Sequence, residues 1–247
     1  MHDNCMKTEF LNIAKGQCLT DVLPAIPTNT IFDKTITGCG ATHSEIVNAA
    51  RHSIIIEPNI PVILGKKANH PFLFAVYEGI TKEDVKAYLA GEHDGYRKII
   101  TTPEGFDKKV LPAMHELEIP VYKDYFLLFD ECEKAIQDVG YRGDIYLPVE
   151  DFFKFENKAM VSATPIIPSD PRFVENGFRI LKLVPTYDSR IELTLCTTNN
   201  TVAVMRKLLK RLENETVCVF LNSTETILSL IYALGLQGRS RVFCSEK

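Results

Sequence analysis

Two short segments carry residue types whose spacing suits one task, gripping a polyphosphate beside a divalent cation. Thr35-Ile36-Thr37-Gly38-Cys39-Gly40-Ala41-Thr42 is glycine-rich, ends on a hydroxyl, and lies between an apolar run and a helical pattern. In such a loop the glycines let backbone N–H groups curl around phosphate oxygens, and the hydroxyl reaches Mg²⁺. Much later, Tyr125-Phe126-Leu127-Leu128-Phe129 runs straight into Asp130 and Glu131. One such carboxylate holds Mg²⁺ while its neighbour orients or deprotonates a water molecule. The plainer reading of the pair is two solvated acids at a strand end. One part of the loop is missing, because Ala41 stands where a lysine would neutralise the β/γ oxygens.

The surrounding pattern supplies the elements that these residues need. Ile31 to Thr37 reads as a strand, and Thr42 to His52 carries apolar residues at Ile46, Val47, Ala49 and Ala50, a helix opening at the glycine turn. The first turn of such a helix favours anions. His52 to Pro58, Phe72 to Gly79, the run from Arg97 into Thr101-Thr102-Pro103, Tyr125 to Glu131 and Lys158 to Pro165 are further short apolar runs of the kind buried in parallel sheets. Helical patterns fall between them, including a capped one over Thr81 to Gly91 and another over Phe106 to Leu117. This alternation predicts an α/β fold with a parallel sheet covered on both faces. Met1 to Asn29 shows weak periodicity and predicts a short helix and a loop. Proline clusters at Pro165 to Pro171 place a boundary there, giving a first unit over 1–165 and a second over 166–247. In the second, Phe178 to Pro185 and Arg190 to Thr198 read as a hairpin or extended pair. A basic helix, a strand at Thr216 to Ser223, a helix and a strand at Ser240 to Glu246 follow, the start of a second α/β lobe.

Composition narrows the setting. The chain has 247 residues, 45% hydrophobic and 24% charged, with no apolar run of membrane-spanning length and no continuous apolar leader near Met1. Seven cysteines without a CxxC pair fit neither a disulfide framework nor a zinc site, so a soluble protein of the reducing cytoplasm is expected. A formal charge of −4 gives no basic stripe for nucleic acid, though loop N–H groups and hydroxyls can grip a single strand without one.

In order, these segments resemble the motifs of superfamily-two helicases and translocases. TITGCGAT resembles motif I, IIIEPNIPVI (Ile54 to Ile63) motif Ia, ITTPEGF (Ile100 to Phe106) motif Ib, FDECE motif II with Glu133 in its last place, and VSATP (Val161 to Pro165) motif III. VFLNST at Val219 to Thr224 is similar to motif IV. The resemblance implies a three-layer RecA-like sheet of P-loop type, ATP and Mg²⁺ as cofactors, and single-stranded DNA or RNA as partner. It implies that Gly38, Cys39, Gly40, Ala41 and Thr42 surround the phosphates, that Thr42 and Asp130 hold Mg²⁺, and that Glu131 positions the attacking water. By the same likeness Thr101, Thr102 and Pro103 lie along the nucleic-acid track, and Ser162, Ala163 and Thr164 couple nucleotide state to it.

Two departures bear on activity. Without the lysine, hydrolysis should suffer more than binding. Lys34, on the preceding strand, is the candidate replacement, although a lysine at a strand position is more often simply solvated. Restoring a lysine at Ala41 is expected to tighten nucleotide binding and leave turnover poor. The second departure is an incomplete second lobe, the source of the arginine finger; Gln237-Gly238-Arg239 resembles that motif with the wrong spacing. The expectation is an ancestral ATP-dependent helicase or translocase impaired in hydrolysis. Its rival is an inactive nucleotide- or nucleic-acid-binding module of a mobile-element or phage assembly. His43, Cys132 and the basic face of Arg206, Lys207, Lys210 and Arg211 have plainer roles in solvation and packing.

Overall fold

The computed structural model of the protein describes residues 6–132, 149–165, 167–189, 194–212, 215–221 and 223–242. Eight strands form one sheet: β1 (Thr8–Ile13), β2 (Thr30–Asp33), β3 (His52–Ile56), β4 (Phe74–Val76), β5 (Lys98–Thr101), β6 (Tyr125–Asp130), β7 (Asn157–Ser162) and β8 (Arg179–Pro185). Their order across the sheet is β1-β8-β2-β7-β6-β3-β5-β4, and every pair is parallel. Parallel strands need crossovers that leave helices on the sheet faces. The strands accordingly bury both faces. Leu127 and Phe129 of β6 join one apolar cluster with Ile54, Ile56 and Phe106, while Phe126 and Leu128 join another with Ile55, Phe32 and Ile46. The result is a three-layer α/β fold, as the alternation of strand and helix predicts.

Two strands depart from expectation. Met1 to Asn29 reads as a short helix and a loop in sequence, yet Thr8–Ile13 is an edge strand paired with β8, and among the described residues of this stretch the helix is the short α1 (Leu19–Val22). β8, expected in a hairpin beyond the boundary, instead lies between β1 and β2, with Ile31 opposite Ile180. The sheet therefore runs past Pro165, and the first compact unit extends through Ser189.

Two helices carry site residues, α2 (Ala41–Val47) and α3 (Ile60–Asn69), while α4 (Lys82–Ala90) is closed by the Thr81 and Asp84 capping box expected there. Beneath α2, the carboxylate of the buried Glu45 takes the Arg51 Nε at 3.0 Å and a short bond from the Ser53 hydroxyl. Lys98 Nζ stands 2.9 Å from that hydroxyl and 3.6 Å from Glu45 Oε1. The Arg51 guanidinium lies 3.4 Å from the centroid of the Phe126 ring and donates to the Ile26 carbonyl at 2.9 Å. This cluster bolts α2, and so the end of the glycine loop, to the starts of β3 and β5.

Burial pushes the Lys98 ammonium down from 10.5 to about 8, with Glu45 opposing the shift. Between those values the unfolded chain binds the proton more tightly, so this group makes stability rise with pH. Its cost is full below pH 8. Urea unfolding of wild type and Lys98→Met should therefore show wild type gaining on the variant as pH rises from about 8 to about 10. A gap independent of pH would disprove this.

The second unit, Arg190–Lys247, is described by itself. Helices Thr201–Arg211 and Thr224–Leu234 begin at side-chain caps from Asn200 and Ser223. Among its described residues no strand is present: 215–221 and 241–242 are irregular, and the remainder of the expected last strand lies outside the described residues.

Candidate nucleotide site

The ends of β2, β3 and β6 meet at one edge of the sheet, where the chemistry collects. β6 ends at Asp130, which is buried, and the chain then turns through Glu131 in left-handed backbone at φ 53°. β2 ends at Asp33. Lys34 follows, its N–H on the Ser162 carbonyl at 2.8 Å, and Thr35 turns the chain at φ 53°, its N–H on Asp33 Oδ1 at 3.0 Å. That turn sends the Lys34 side chain inward.

Lys34 is nine-tenths buried, not solvated. Its Nζ lies 2.8 Å from Glu131 Oε1 and 3.3 Å from Asp130 Oδ1. Burial works to lower the Lys34 pKa, but the two carboxylates outweigh it and hold it above the ordinary lysine value. The ammonium thus faces the acidic pair that a loop lysine would face.

The loop itself needs glycine at two places, Gly38 at φ 76° and Gly40 at φ 87°, since side chains rarely adopt that backbone. The Cys39 carbonyl accepts the Leu19 N–H at 2.8 Å, tying the loop to α1. Cys39 is buried, and burial pushes its thiol above the ordinary range. Ala41 packs into the second apolar cluster. Thr42 donates a short hydrogen bond to Asp130 Oδ2, so the hydroxyl and carboxylate expected to share Mg²⁺ converge on one point. Among the described residues no cluster of three or more His, Cys, Asp or Glu side chains encloses a metal. A hydroxyl and one carboxylate suit Mg²⁺ nonetheless, since it takes most of its ligands from water and phosphate.

Sequence reasoning missed two residues here. Glu57 follows β3, whose Ile56 pairs with Phe129, so it sits beside Asp130 in register. Lys66 of α3 bridges them, 3.1 Å from Glu57 Oε2 and 3.2 Å from Asp130 Oδ2. Burial raises the Glu57 carboxyl against the pull of Lys66. Burial also works to raise Asp130, but Lys66, then Lys34 and the Thr42 hydroxyl, hold it below the usual carboxylate range. The glutamate in IIIEP was visible as an acid ending an apolar run. Nothing in the spacing marked its partner.

The other expected residues divide. Ser162 is buried and its Oγ accepts the Thr164 N–H at 2.9 Å, while Thr164 is exposed and Ala163 partly so. The Ser162 carbonyl also holds the Lys34 backbone, a direct link between the Ser162-Ala163-Thr164 turn and the site. Thr101, Thr102 and Pro103 are buried; Thr102 Oγ1 caps the turn by accepting the Gly105 N–H at 3.1 Å, and Thr101 Oγ1 bonds the Thr102 carbonyl at 3.1 Å. Their side chains are committed to the turn. His43 is exposed, its Nδ1 3.2 Å from Nε2 of His70, and Cys132 is buried. Arg206 donates to the Ala233 carbonyl, whereas Glu133 lies outside the described residues.

The fold that carries this site resembles that of a solved helicase. The DUF1998 helicase MrfA superposes with a TM-score of 0.56 at 14% identity, over 86% of this chain and 37% of that one. The fold is helicase-like. The helicase domain of Pyrococcus furiosus Hef aligns more loosely, with a TM-score of 0.41 at 14% identity, over 85% of this chain and 44% of that one. The chain thus spans less than half the length of each helicase chain. No protein-family model and no curated protein matches the sequence. Among the described residues of this helicase-like fold, no helix is long and apolar enough to cross a membrane.

Proposed function

We propose that the chain binds a Mg²⁺–nucleoside triphosphate at the Gly38 to Thr42 loop, with Lys34 supplying the cation that Ala41 does not. The observation that carries this reading is the buried Lys34 ammonium, 2.8 Å from Glu131 and 3.3 Å from Asp130. Thr42 and Asp130 would hold the metal, which when bound neutralises charge on the β/γ oxygens. Backbone N–H groups of Gly38, Cys39 and Gly40 take the phosphates, and Glu131 orients water. The helicase-like fold supports ATP as the nucleotide and single-stranded DNA or RNA as the partner. A role for the Ser162-Ala163-Thr164 turn in reporting nucleotide state is supported by the hydrogen bond from the Lys34 N–H to the Ser162 carbonyl.

Isothermal titration of the chain with Mg·ATP tests the reading. We expect saturable one-to-one binding with Kd of about 10–100 µM, or roughly −7 to −5.5 kcal/mol. A strand-site lysine must leave both carboxylates to reach a phosphate, which keeps affinity modest. The absence of saturation at millimolar nucleotide, in a chain that melts cooperatively, would defeat the proposal.

A further inference from the structure

The geometry points to Lys66 as an ammonium that stands in the metal's place on Asp130 and passes to the polyphosphate when the metal arrives with its nucleotide. The inference deepens the nucleotide reading above and rests on it. Three observations lead here. The Lys66 Nζ contact at 3.2 Å is to Oδ2 of Asp130, the same oxygen that takes the Thr42 hydroxyl and so the oxygen turned toward the proposed metal position. Its other contact, 3.1 Å to Oε2 of Glu57, comes from a carboxylate that is itself fixed, Oε1 accepting both the backbone N–H and the side-chain amide of Asn59 at 3.1 Å. The adjacent lysine is placed differently, since among the described residues Lys67 Nζ reaches the Pro71 carbonyl at the surface.

The chemistry then follows from charge. An ammonium and a dication repel at close range, so a metal ion held at Oδ2 would displace Lys66 from that oxygen. Glu57 keeps hold of one N–H. Lys66 is left with donors free beside the metal position, the place where the phosphates of a metal–nucleotide complex present their oxygens. Lys66 therefore opposes a bare metal ion and favours the same ion carrying a triphosphate. Glu57 is a positioning residue in this scheme, the tether about which Lys66 turns.

The two effects have opposite signs, which a purely structural lysine would not produce. In Lys66→Gln, whose amide can still bridge Glu57 and Asp130, Mn²⁺ alone, followed by its electron paramagnetic resonance signal, is expected to bind about 5- to 10-fold tighter than in wild type. Mg·ATP, followed by titration calorimetry, is expected to bind about 10-fold weaker, with a smaller loss for Mg·ADP. Lys67→Gln removes the same charge one residue away and should move neither. Lys66→Arg keeps the charge, should leave Mn²⁺ affinity unchanged, and serves if the glutamine variant does not fold. Unchanged or weaker Mn²⁺ binding in Lys66→Gln, or an arginine variant that tightens Mn²⁺, would overturn the inference. Wild type that binds Mn²⁺ but no nucleotide would defeat the nucleotide reading instead, a separate result read in a separate titration.

Discussion

Replacing Lys34 by alanine is expected to weaken Mg·ATP binding about 30- to 100-fold, a loss of roughly 2–3 kcal/mol for a charge-assisted contact in a mostly buried site. The effect should exceed that of the other described lysines, because among the described residues Lys34 is the lysine that touches both members of the acidic pair. The structure also changes what a restored loop lysine should do. Ala41 packs within the second apolar cluster, and the place its lysine would fill in front of Asp130 and Glu131 already holds the Lys34 ammonium. Ala41→Lys in wild type should therefore add little. In the Lys34→Ala background the same change should recover most of the lost affinity. Calorimetry on the two single variants and the double variant forms a cycle, and independent, additive effects would show that the two positions do not serve one cation site.

The second large effect concerns turnover. Phosphoryl transfer gains about 10³- to 10⁵-fold from a guanidinium that closes on the transferring group. The described partners of Asp130 are two lysines, the Thr42 hydroxyl and the Glu131 backbone N–H; Lys34 is the described side chain on Glu131. These groups balance charge in the ground state but include no guanidinium. With Ala41 in place of the loop lysine, residues 1–247 are expected to release phosphate from Mg·ATP at close to the uncatalysed background rate, with or without single-stranded DNA or RNA. A steady-state phosphate assay that found strand-stimulated turnover, lost in Glu131→Gln, would reverse this conclusion and make the chain an active ATPase.

The parts of this site that follow backbone rules were legible in the sequence. Gly38 and Gly40 mark a loop that needs positive φ, and the apolar run before Asp130 marks a buried strand whose end must face it. Side chains that reach across the fold were not. Lys66 sits in a helix among Lys67 and other polar residues, and periodicity assigns such a lysine to solvent; only the register of β3 against β6 brings Glu57 and Asp130 within its span. Lys34 was a named candidate, but the turn at Thr35 that directs it inward depends on a left-handed residue that is not glycine. Edge strands fail for a different reason. β1 alternates in exposure, but it puts Phe10 on the exposed face and Glu9 on the more covered one, so its sequence does not sort polar from apolar by face, and its partner β8 lies in a segment whose prolines read as a boundary.

The order of the sheet also sets when this site can exist on a chain emerging from the ribosome. β2, which leads into the glycine loop, is flanked on both sides by β7 and β8, and both are made only after β3, β4, β5 and β6. Asp130 and Lys66 are synthesised while β2 still lacks either neighbour, and β1 waits longer, since its sole partner is β8. Contacts between distant segments bear the full loop-closure entropy before they return any stability. β3, β4, β5 and β6 can pair among themselves as they emerge, but β1 and β2 must stay unpaired, open to chaperones or to other chains, until β7 and β8 have left the exit tunnel.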